Sequence, residues 1–269
     1  MDFTNKVIVV TGGASGIGQA TAREFARLNG AVAILDRDDR GGNETASAMR
    51  SQGRRARHFA VDLAVAAQVE RAVERAAAWF GGIDVLVNNA GIQRYGTATT
   101  TSDEEWDVVM DANVRSAFLA SRYAIPHIMR RGGGSIIVVG SVQSMTAQRN
   151  SMAYVVSKHA LVGLARSMAL DYAAHNIRVN CVCAGAVDTP LLRWAASLDE
   201  NPQRVMEACR KVSPMGRLGR PEEIARVIAF LASDLASYTT GAVITVDGGL
   251  MTPTGGTANQ ESGTGGTRR

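Results

Sequence analysis

Short apolar runs alternate along the chain with longer stretches in which apolar residues recur at helical spacing. The first run, 6–10, reads Lys-Val-Ile-Val-Val, the pattern of a strand buried on both faces. Strands are expected at 6–10, 31–35, 57–61, 84–87, 135–139, 178–182 and 243–246, and helices in the intervals, including a long one over 153–173. Alternating strands and helices form βαβ units. The pattern therefore predicts an α/β fold, a doubly wound parallel sheet of about seven strands with helices on both faces.

The chain divides into one long folded part and a short C-terminal segment. A length of 269 residues with 46% apolar residues is typical of a single α/β domain with one sizeable core. Over 252–269, apolar residues nearly vanish while Gly and Thr predominate. We expect 1–251 to be a single domain and 252–269 a flexible tail. The alternative is a tail that orders over a neighbouring subunit's active site.

Composition narrows the class of protein. No apolar run reaches eighteen residues and no charged leader precedes an apolar stretch, so neither a membrane span nor a secretory signal is expected. The three cysteines lack the spacing of metal ligands or of a disulfide framework, which favours reduced thiols in a cytoplasmic protein without a metal. The net charge of +4 comes without a basic stripe, so no nucleic-acid partner is predicted.

Tyr154 and Lys158 stand four residues apart near the start of the predicted helix 153–173, and Ser141 follows a strand-like run upstream. Positions i and i+4 share one helix face. A cation held there favours the phenolate and is predicted to lower the pKa of Tyr154 from about 10 toward neutrality. Such a tyrosine can exchange a proton with an alcohol or carbonyl whose oxygen Ser141 holds. Most Tyr-x-x-x-Lys pairs are solvated helix surface, so the hypothesis depends on the rest of the chain.

A glycine-rich turn directly follows the first strand. The segment 11–18 reads Thr-Gly-Gly-Ala-Ser-Gly-Ile-Gly, and a helical pattern opens there. Strand, glycine turn and helix are the context of a dinucleotide site, because the glycines let the backbone approach a pyrophosphate at the positive end of the helix. The alternative is an ordinary turn with packing glycines. The predicted cofactor contacts are Gly12, Ser15, Gly16, Ile17 and Gly18.

Asp36 ends the second predicted strand, eighteen residues beyond Gly18. A carboxylate at this place can accept hydrogen bonds from the ribose hydroxyls of NAD and would repel the 2′-phosphate of NADP. The adjacent Arg37 could in principle hold a phosphate. The sequence therefore favours NAD over NADP as the cofactor.

In these motifs and their order the chain resembles the short-chain dehydrogenase/reductase family over roughly residues 3–251. Ser141, Tyr154 and Lys158 match the family's catalytic serine, tyrosine and lysine. Asn113 matches an asparagine that keeps a water in a proton relay to the lysine. The resemblance implies a Rossmann-like fold. It also implies cofactor contacts from the acid after the third strand, the Asn-Asn-Ala-Gly element and the nicotinamide loop, namely Asp62, Leu63, Asn89, Ala90, Gly91, Val187 and Thr189.

The resemblance also implies an assembly and a lid. Members usually form homotetramers with two-fold axes, so the helices near 106–130 and 153–173 and the C-terminal strand are the expected contact surfaces. The segment 191–214 corresponds to the family's substrate lid, with an ordinary amphipathic surface helix as the alternative. One departure is Ala184-Gly185 where the family commonly has Pro-Gly. Without the proline the local backbone is less constrained, but no reactive group is lost.

The resemblance implies an NAD-dependent enzyme that moves a hydride between a secondary alcohol, or hemiacetal, and its carbonyl. The polar loop 142–150 should line the pocket, which favours a sugar, sugar acid or polyol. Open alternatives are a 3-oxoacyl-thioester reductase and a dehydrogenase of a hydrophobic cyclic alcohol or steroid. A non-catalytic nucleotide-binding scaffold is the alternative of another class. The expected substrate contacts are Ser141, Gln143, Gln148, Tyr154 and Trp194.

Overall fold

The computed structural model describes residues 1–252 of the chain. Helices cover each side of the sheet, so the strands at its centre, 7–11, 31–36 and 85–88, are buried on both faces. The apolar runs account for every strand among the described residues. These strands are β1 (Val7–Thr11), β2 (Ala31–Asp36), β3 (Ala56–Ala60), β4 (Val85–Asn88), β5 (Gly134–Ser141), β6 (Ile177–Ala184) and β7 (Val243–Val246). They form one parallel sheet in the order β3-β2-β1-β4-β5-β6-β7.

Helices fill the connections and cover both faces of the sheet. Leu119 and Leu161 belong to the core on one face, and Phe25 and Ile228 belong to the core on the other. The arrangement is the predicted doubly wound α/β fold. The helices are α1 (Gly16–Arg27), α2 (Asp39–Arg50), α3 (Ala66–Phe80), α4 (Asp103–Met110), α5 (Ser116–Arg130), α6 (Met152–Tyr172), α7 (Pro190–Ala196), α8 (Pro202–Lys211) and α9 (Pro221–Ala232).

The strand order reverses at β1, which lies between β2 and β4. In open α/β sheets, ligands bind outside the carboxyl ends of the strands at such a reversal. The carboxyl ends of β1, β4 and β5 therefore mark the place where functional side chains should meet. No helix in the described part of the chain is long and apolar enough to cross a membrane.

All seven predicted strands are present close to their expected bounds. Ser141 is the last residue of β5 rather than the first beyond it, because β5 pairs with β6 as far as Ser141 and Ala184. The helix predicted over 106–130 is a continuous run of α4, a π-helical turn (Asp111–Arg115) and α5. The single domain over 1–251 stays a prediction, and the predicted tail lies outside the described residues from 253 onward.

The predicted lid, 191–214, contains most of α7 and all of α8. Each helix has proline in its first turn and a capping side chain before it. Thr189 Oγ1 accepts from the N–H of Leu192 at 3.2 Å, and Asn201 Oδ1 accepts from the N–H of Arg204 at 3.0 Å. Both short helices contribute side chains to a cavity that also contains Ser141, at the carboxyl end of β5.

Candidate active site

A cavity of about 670 Å³ opens at the carboxyl edge of the sheet. Gly18, Asn113 and Trp194 do not line it, although each adjoins a residue that does. The other predicted site residues line it together: Gly12, Ser15, Gly16, Ile17, Asp36, Asp62, Leu63, Asn89, Ala90, Gly91, Ser141, Gln143, Gln148, Tyr154, Lys158, Val187 and Thr189.

The turn between β1 and α1 is packed against its own backbone. A methyl group on Gly18 would lie 2.0 Å from the carbonyl oxygen of Gly12, and one on Gly12 would lie 2.8 Å from Cα of Ala90. Gly12 also has a φ of 65°, in the left-handed region that other side chains disfavour. Gly18 thus serves packing within the turn, and Gly12 lets the backbone itself form the cavity wall.

The first turn of α1 leaves its backbone N–H groups without a side-chain cap. Ser15 precedes the helix but its side chain makes no capping hydrogen bond among the described residues, and the first turn carries no acid. Ser15, Gly16 and Ile17 line the cavity. Unpaired N–H groups at a positive helix end suit a phosphate anion. These residues therefore fit the pyrophosphate of a dinucleotide.

Asn89 and Thr11 connect the glycine turn to the end of β4. Asn89 Nδ2 donates to the carbonyl oxygens of Thr11 and Gly12, both at 3.0 Å. The Thr11 hydroxyl accepts from the N–H groups of Asn89 at 2.9 Å and Ala90 at 3.1 Å. This reciprocal pairing fixes the two backbone segments that face each other across the cavity.

Asp36 lies at the end of β2 beside the glycine turn. Its Oδ2 accepts from the N–H of Ala14 and its Oδ1 from the N–H of Asp38, both at 3.0 Å. A carboxylate oxygen has more than one lone pair, so Asp36 can hold the turn and still accept from a ribose hydroxyl. Arg37 lines the cavity next to it. A carboxylate and a guanidinium thus lie side by side at this part of the cavity wall.

Asp62 and Leu63 form the wall beyond β3. Asp62 Oδ1 accepts from the N–H of Ala64 at 3.0 Å, and the Asp62 N–H donates to Gln68 Oε1 at 2.9 Å. The Asp62 carboxylate thereby shapes its own loop. Gln68, on α3, supports this wall and carries no motif that would have marked it in the sequence.

The loop after β6 carries Val187 and Thr189 into the opposite wall. Gly219 pairs with this loop twice: its N–H donates to the carbonyl of Ala186, and its carbonyl accepts from the N–H of Asp188, both at 2.9 Å. The pairing holds the loop although it lacks the family's proline. The Thr189 hydroxyl is partly used to cap α7.

Ser141 begins a short 3₁₀ turn, Val142–Ser144. Its Oγ accepts from the N–H of Gln143 at 3.2 Å, and its own N–H donates to Ser144 Oγ at 3.1 Å. The Ser141 hydroxyl also hydrogen-bonds to the phenol of Tyr154. Ser141 is therefore held between its backbone turn and the tyrosine, with Ser144 as a buried support that the motif did not reveal.

Tyr154 and Lys158 are buried side by side on α6. Lys158 Nζ lies 5.5 Å from the centroid of the Tyr154 ring and donates to the carbonyl of Val139 at 3.0 Å. Burial raises the pKa of Tyr154 to about 12, opposed by the hydrogen bond with Ser141. Burial lowers the pKa of Lys158 to about 8. The predicted fall in the tyrosine pKa is wrong for the chain alone, because desolvation of the phenolate outweighs the hydrogen bond with Ser141, while the Lys158 ammonium donates to Val139 instead.

Two buried thiols on β6 lie near the Lys158 side chain. The sulfur atoms of Cys181 and Cys183 are 3.8 Å apart, and a methyl group on Gly140 would lie 2.9 Å from each. The hydrogen bond between the thiols raises the pKa of Cys181 and lowers that of Cys183 to about 7. No group of three His, Cys, Asp or Glu side chains suited to a metal ion occurs within the part of the chain that the structure describes.

Asn113 is fully buried in the π-helical turn. Its Nδ2 donates to the carbonyl of Ile92 at 3.0 Å and to Ser157 Oγ at 2.9 Å, and its Oδ1 accepts from the N–H of Ile92 at 2.7 Å. Ser157 in turn donates to the carbonyl of Tyr154 at 2.7 Å. Because both amide N–H donors are used, Asn113 is a positioning residue.

The far end of the cavity has a polar wall that ends against the lid. Gln143 Nε2 donates to Gln148 Oε1, and Gln148 hydrogen-bonds to Tyr95. The Tyr95 ring stacks on Trp194 of α7, with centroids 6.3 Å apart and planes 20° from parallel. The guanidinium of Arg94 lies 5.5 Å from the Trp194 ring centroid. Trp194, predicted to contact substrate, instead supports Tyr95 from behind.

The cavity also has an apolar wall. Its side chains come from the lid helices and the loops beside them, where the sequence shows only ordinary amphipathic spacing. Neither this wall nor Tyr95 was predicted residue by residue, because no motif fixes a lid. The members are Leu191, Leu192, Ala195, Val205, Cys209, Val212 and Leu250.

Comparison with known proteins places the chain among oxidoreductases. The family described as Enoyl-(Acyl carrier protein) reductase matches residues 12–251. A cis-4-hydroxycyclohexanecarboxylate dehydrogenase of Sinomonas cyclohexanicum is 42% identical over 248 residues, which are 92% of this chain and 97% of the relative. The ligand-free aldohexose dehydrogenase of Thermoplasma acidophilum has a TM-score of 0.84 at 39% identity, covering 92% of this chain and 94% of that one. A levodione reductase has a TM-score of 0.89 at 34% identity, covering 92% and 98%.

The family match and the relatives extend over nearly the whole described chain. They agree with a dinucleotide turn and a Ser-Tyr-Lys group that open into the same cavity. The resemblance inferred from the motifs is confirmed. The chain therefore belongs to the short-chain dehydrogenase/reductase family, oxidoreductases that act on alcohols and use a nicotinamide cofactor, NAD(P).

Proposed function

We propose that the protein is an NAD-dependent dehydrogenase that interconverts a secondary alcohol, or hemiacetal, of a sugar, sugar acid or polyol with its carbonyl. The observation that carries the proposal is the meeting of Ser141, Tyr154 and Lys158 in one cavity with the glycine turn. When bound, the nicotinamide supplies the acceptor or donor of the hydride. The protein's own part is to hold the reacting oxygen and to move its proton.

Tyr154 is the general base in oxidation and the general acid in reduction. Ser141 orients the substrate oxygen and stabilises charge that develops on it. Lys158 places an ammonium beside the phenol, and its pKa of about 8 keeps much of that charge at neutral pH. Because burial raises the pKa of Tyr154 to about 12, the phenol is protonated at pH 7. Alcohol oxidation, which needs the phenolate, should therefore speed up as pH rises from neutral, whereas carbonyl reduction, which uses the phenol, should stay nearly constant until pH approaches 12.

The cofactor is held at the turn and the walls beside it. Backbone N–H groups of the α1 terminus suit the pyrophosphate, and Asp36 suits the ribose diol. Asn113 positions the loop at Ile92 through two hydrogen bonds and ties it to α6 through a third, to Ser157. Besides Tyr154 and Lys158, the residues assigned to NAD are Gly12, Ser15, Gly16, Ile17, Asp36, Asp62, Leu63, Asn89, Ala90, Gly91, Val187 and Thr189. Gly18, also predicted to contact the cofactor, supports them by its packing within the turn.

The first test is absorbance at the reduced-nicotinamide band with the purified protein, NAD or NADP, and a panel of sugars, sugar acids, polyols and cyclic alcohols. NAD reduction by a hydroxylated substrate is expected, with NADP much less effective. Activity confined to NADPH and an oxoacyl thioester would overturn both the cofactor and the substrate assignment. A protein that binds NAD but turns over nothing would favour the non-catalytic scaffold.

A second candidate is the dehydrogenation of a more hydrophobic cyclic alcohol. The apolar lid wall favours it, and two of the similar proteins are named for cyclic compounds, a hydroxycyclohexanecarboxylate and levodione. The same panel separates the candidates: the second requires kcat/KM to rise with ring hydrophobicity and to fall with added hydroxyl groups.

We also propose that the enzyme is a cytoplasmic homotetramer. Apolar side chains stand exposed on the helices expected to form its contacts, Val108 and Phe118 on α4 and α5 and Val156 and Leu170 on α6. Exposed apolar groups grouped on helix faces are typical of subunit contacts. Light scattering coupled to gel filtration should give four chains per particle, and a monomer would refute this part.

A further inference from the structure

The substrate end of the cavity contains a buried amide oxygen without a partner. Gln143 Oε1 is shielded from solvent, and no donor among the described residues reaches it. Leaving such an oxygen unpaired is unfavourable. Gln143 lines the cavity, and its backbone N–H donates to the Ser141 hydroxyl at 3.2 Å. The unpaired oxygen therefore belongs to the side chain that stands next to the catalytic serine.

The rest of this amide is fixed by a chain of side chains. Gln143 Nε2 donates to Gln148 Oε1, and Gln148 hydrogen-bonds to Tyr95. Tyr95 is held in turn by stacking on Trp194. A side chain with its own partners loses little further freedom when a ligand binds, which favours recognition. The Gln143 amide is thus held in one position before a ligand binds.

We propose that Gln143, held by Gln148 and Tyr95, recognises a second hydroxyl group of the substrate, one that does not react but lies close to the carbinol carbon. The inference rests on the proposed function and narrows its substrate to cyclic diols and polyols. A hydroxyl group can donate a hydrogen bond to the unpaired oxygen of this amide, whereas an alkyl group cannot. The apolar wall of the same cavity, including Leu191 and Val205, accommodates the ring carbons.

The test compares NAD reduction by the enzyme with cyclohexanol and with the 1,2-, 1,3- and 1,4-cyclohexanediols. We expect kcat/KM for the best diol to exceed that for cyclohexanol by about tenfold or more, because a buried unpaired acceptor discriminates against a ligand without a donor. Gln143→Met keeps the length of the side chain but cannot form the hydrogen bond. In this variant the ratio should fall to within about threefold of unity.

Two further variants separate recognition from misfolding. Tyr95→Phe keeps the ring against Trp194 but removes the bond to Gln148, and should lower the diol preference by about threefold. Gln52→Met is the matched control: Gln52 is exposed, does not line the cavity, and should leave the ratio unchanged. Thermal melting establishes that each variant is folded.

The outcomes distinguish this inference from the function on which it rests. Equal kcat/KM for cyclohexanol and all diols, or a ratio that survives Gln143→Met, would overturn the inference and leave the dehydrogenase assignment standing. A complete absence of NADH formation with these alcohols and with the sugar and polyol panel would overturn both.

Discussion

The two ends of the cavity are built from different parts of the chain. At the cofactor end, the walls are largely backbone: the turn at Gly12, the uncapped start of α1 and the loop that Asn89 holds. At the substrate end, the walls are side chains from the loop 142–150 and from the lid helices. A backbone wall leaves few choices of residue, since only glycine fits the close approaches. A side-chain wall accepts many residues of similar size, so it can change its ligand while the chemistry between the two ends stays fixed.

The largest effect should come from the chemistry that both ends share. Tyr154→Phe removes only the phenolic oxygen, and turnover should fall by about 10³-fold or more. The glycine turn, Asp36 and Lys158 still bind the cofactor, so the affinity for NAD measured by calorimetry should change by less than about threefold. Wild-type turnover in this variant would show that Tyr154 is not the proton carrier.

Because the cofactor end is built from backbone, a substitution that clashes with the backbone should abolish NAD binding there. Gly18→Ala places a methyl group 2.0 Å from the carbonyl oxygen of Gly12, and should lower the free energy of unfolding by about 3 kcal/mol or more and abolish NAD binding. Gly163→Ala is the matched control, because its methyl group meets nothing within 4 Å and it replaces glycine within a helix. The control should stabilise by about 0.5–1 kcal/mol. Urea unfolding and NAD titration would measure both; normal NAD binding by Gly18→Ala would contradict the packing argument.

Lys158, which lies between the two ends, should oppose the stability of the fold. Its pKa is about 8 in the folded chain, below the ordinary value of 10.5. The unfolded chain therefore binds the Lys158 proton more tightly than the folded chain does. Below pH 8 this difference lowers the free energy of unfolding by about 3 kcal/mol. The loss of stability disappears as pH rises to 10.5, where Lys158 is neutral in the folded chain and half-deprotonated in the unfolded one. Lys158→Met should raise stability at pH 7 and lose that gain between pH 8 and 10.5, while turnover collapses. Urea unfolding at several pH values tests the sign, and a pH-independent gain would contradict it.

The smallest expected effect is on the preference of the enzyme for NAD over NADP. Asp36→Asn keeps one oxygen for the glycine turn but removes the charge, so the preference for NAD over NADP in kcat/KM should fall by about tenfold. Asp39→Asn removes a nearby charge that does not line the cavity, and should change the ratio less than about twofold. Equal shifts in the two variants would mean that general electrostatics, not a contact at Asp36, sets the preference.

The contrast between a backbone wall and a side-chain wall also explains which site residues could be predicted from the sequence. Gly12, Ser15 and Asp36 were located because strand, turn and acid lie close together in the chain and their backbone roles admit few residues. Tyr95 could not be found, since it enters the site by stacking on Trp194, almost a hundred residues away. The pKa of Tyr154 was misjudged because spacing on a helix gives the neighbouring charge but not the depth of burial.

Cys209 gives the lid a chemical handle. It lies half-buried on α8 in the wall of the cavity, whereas Cys181 and Cys183 are enclosed by the core. A thiol-directed alkylating reagent should therefore attach to Cys209 first, slowly because burial raises the pKa of this thiol. Protection of Cys209 from alkylation would report occupancy of the cavity by any compound, including one that is bound but never turned over.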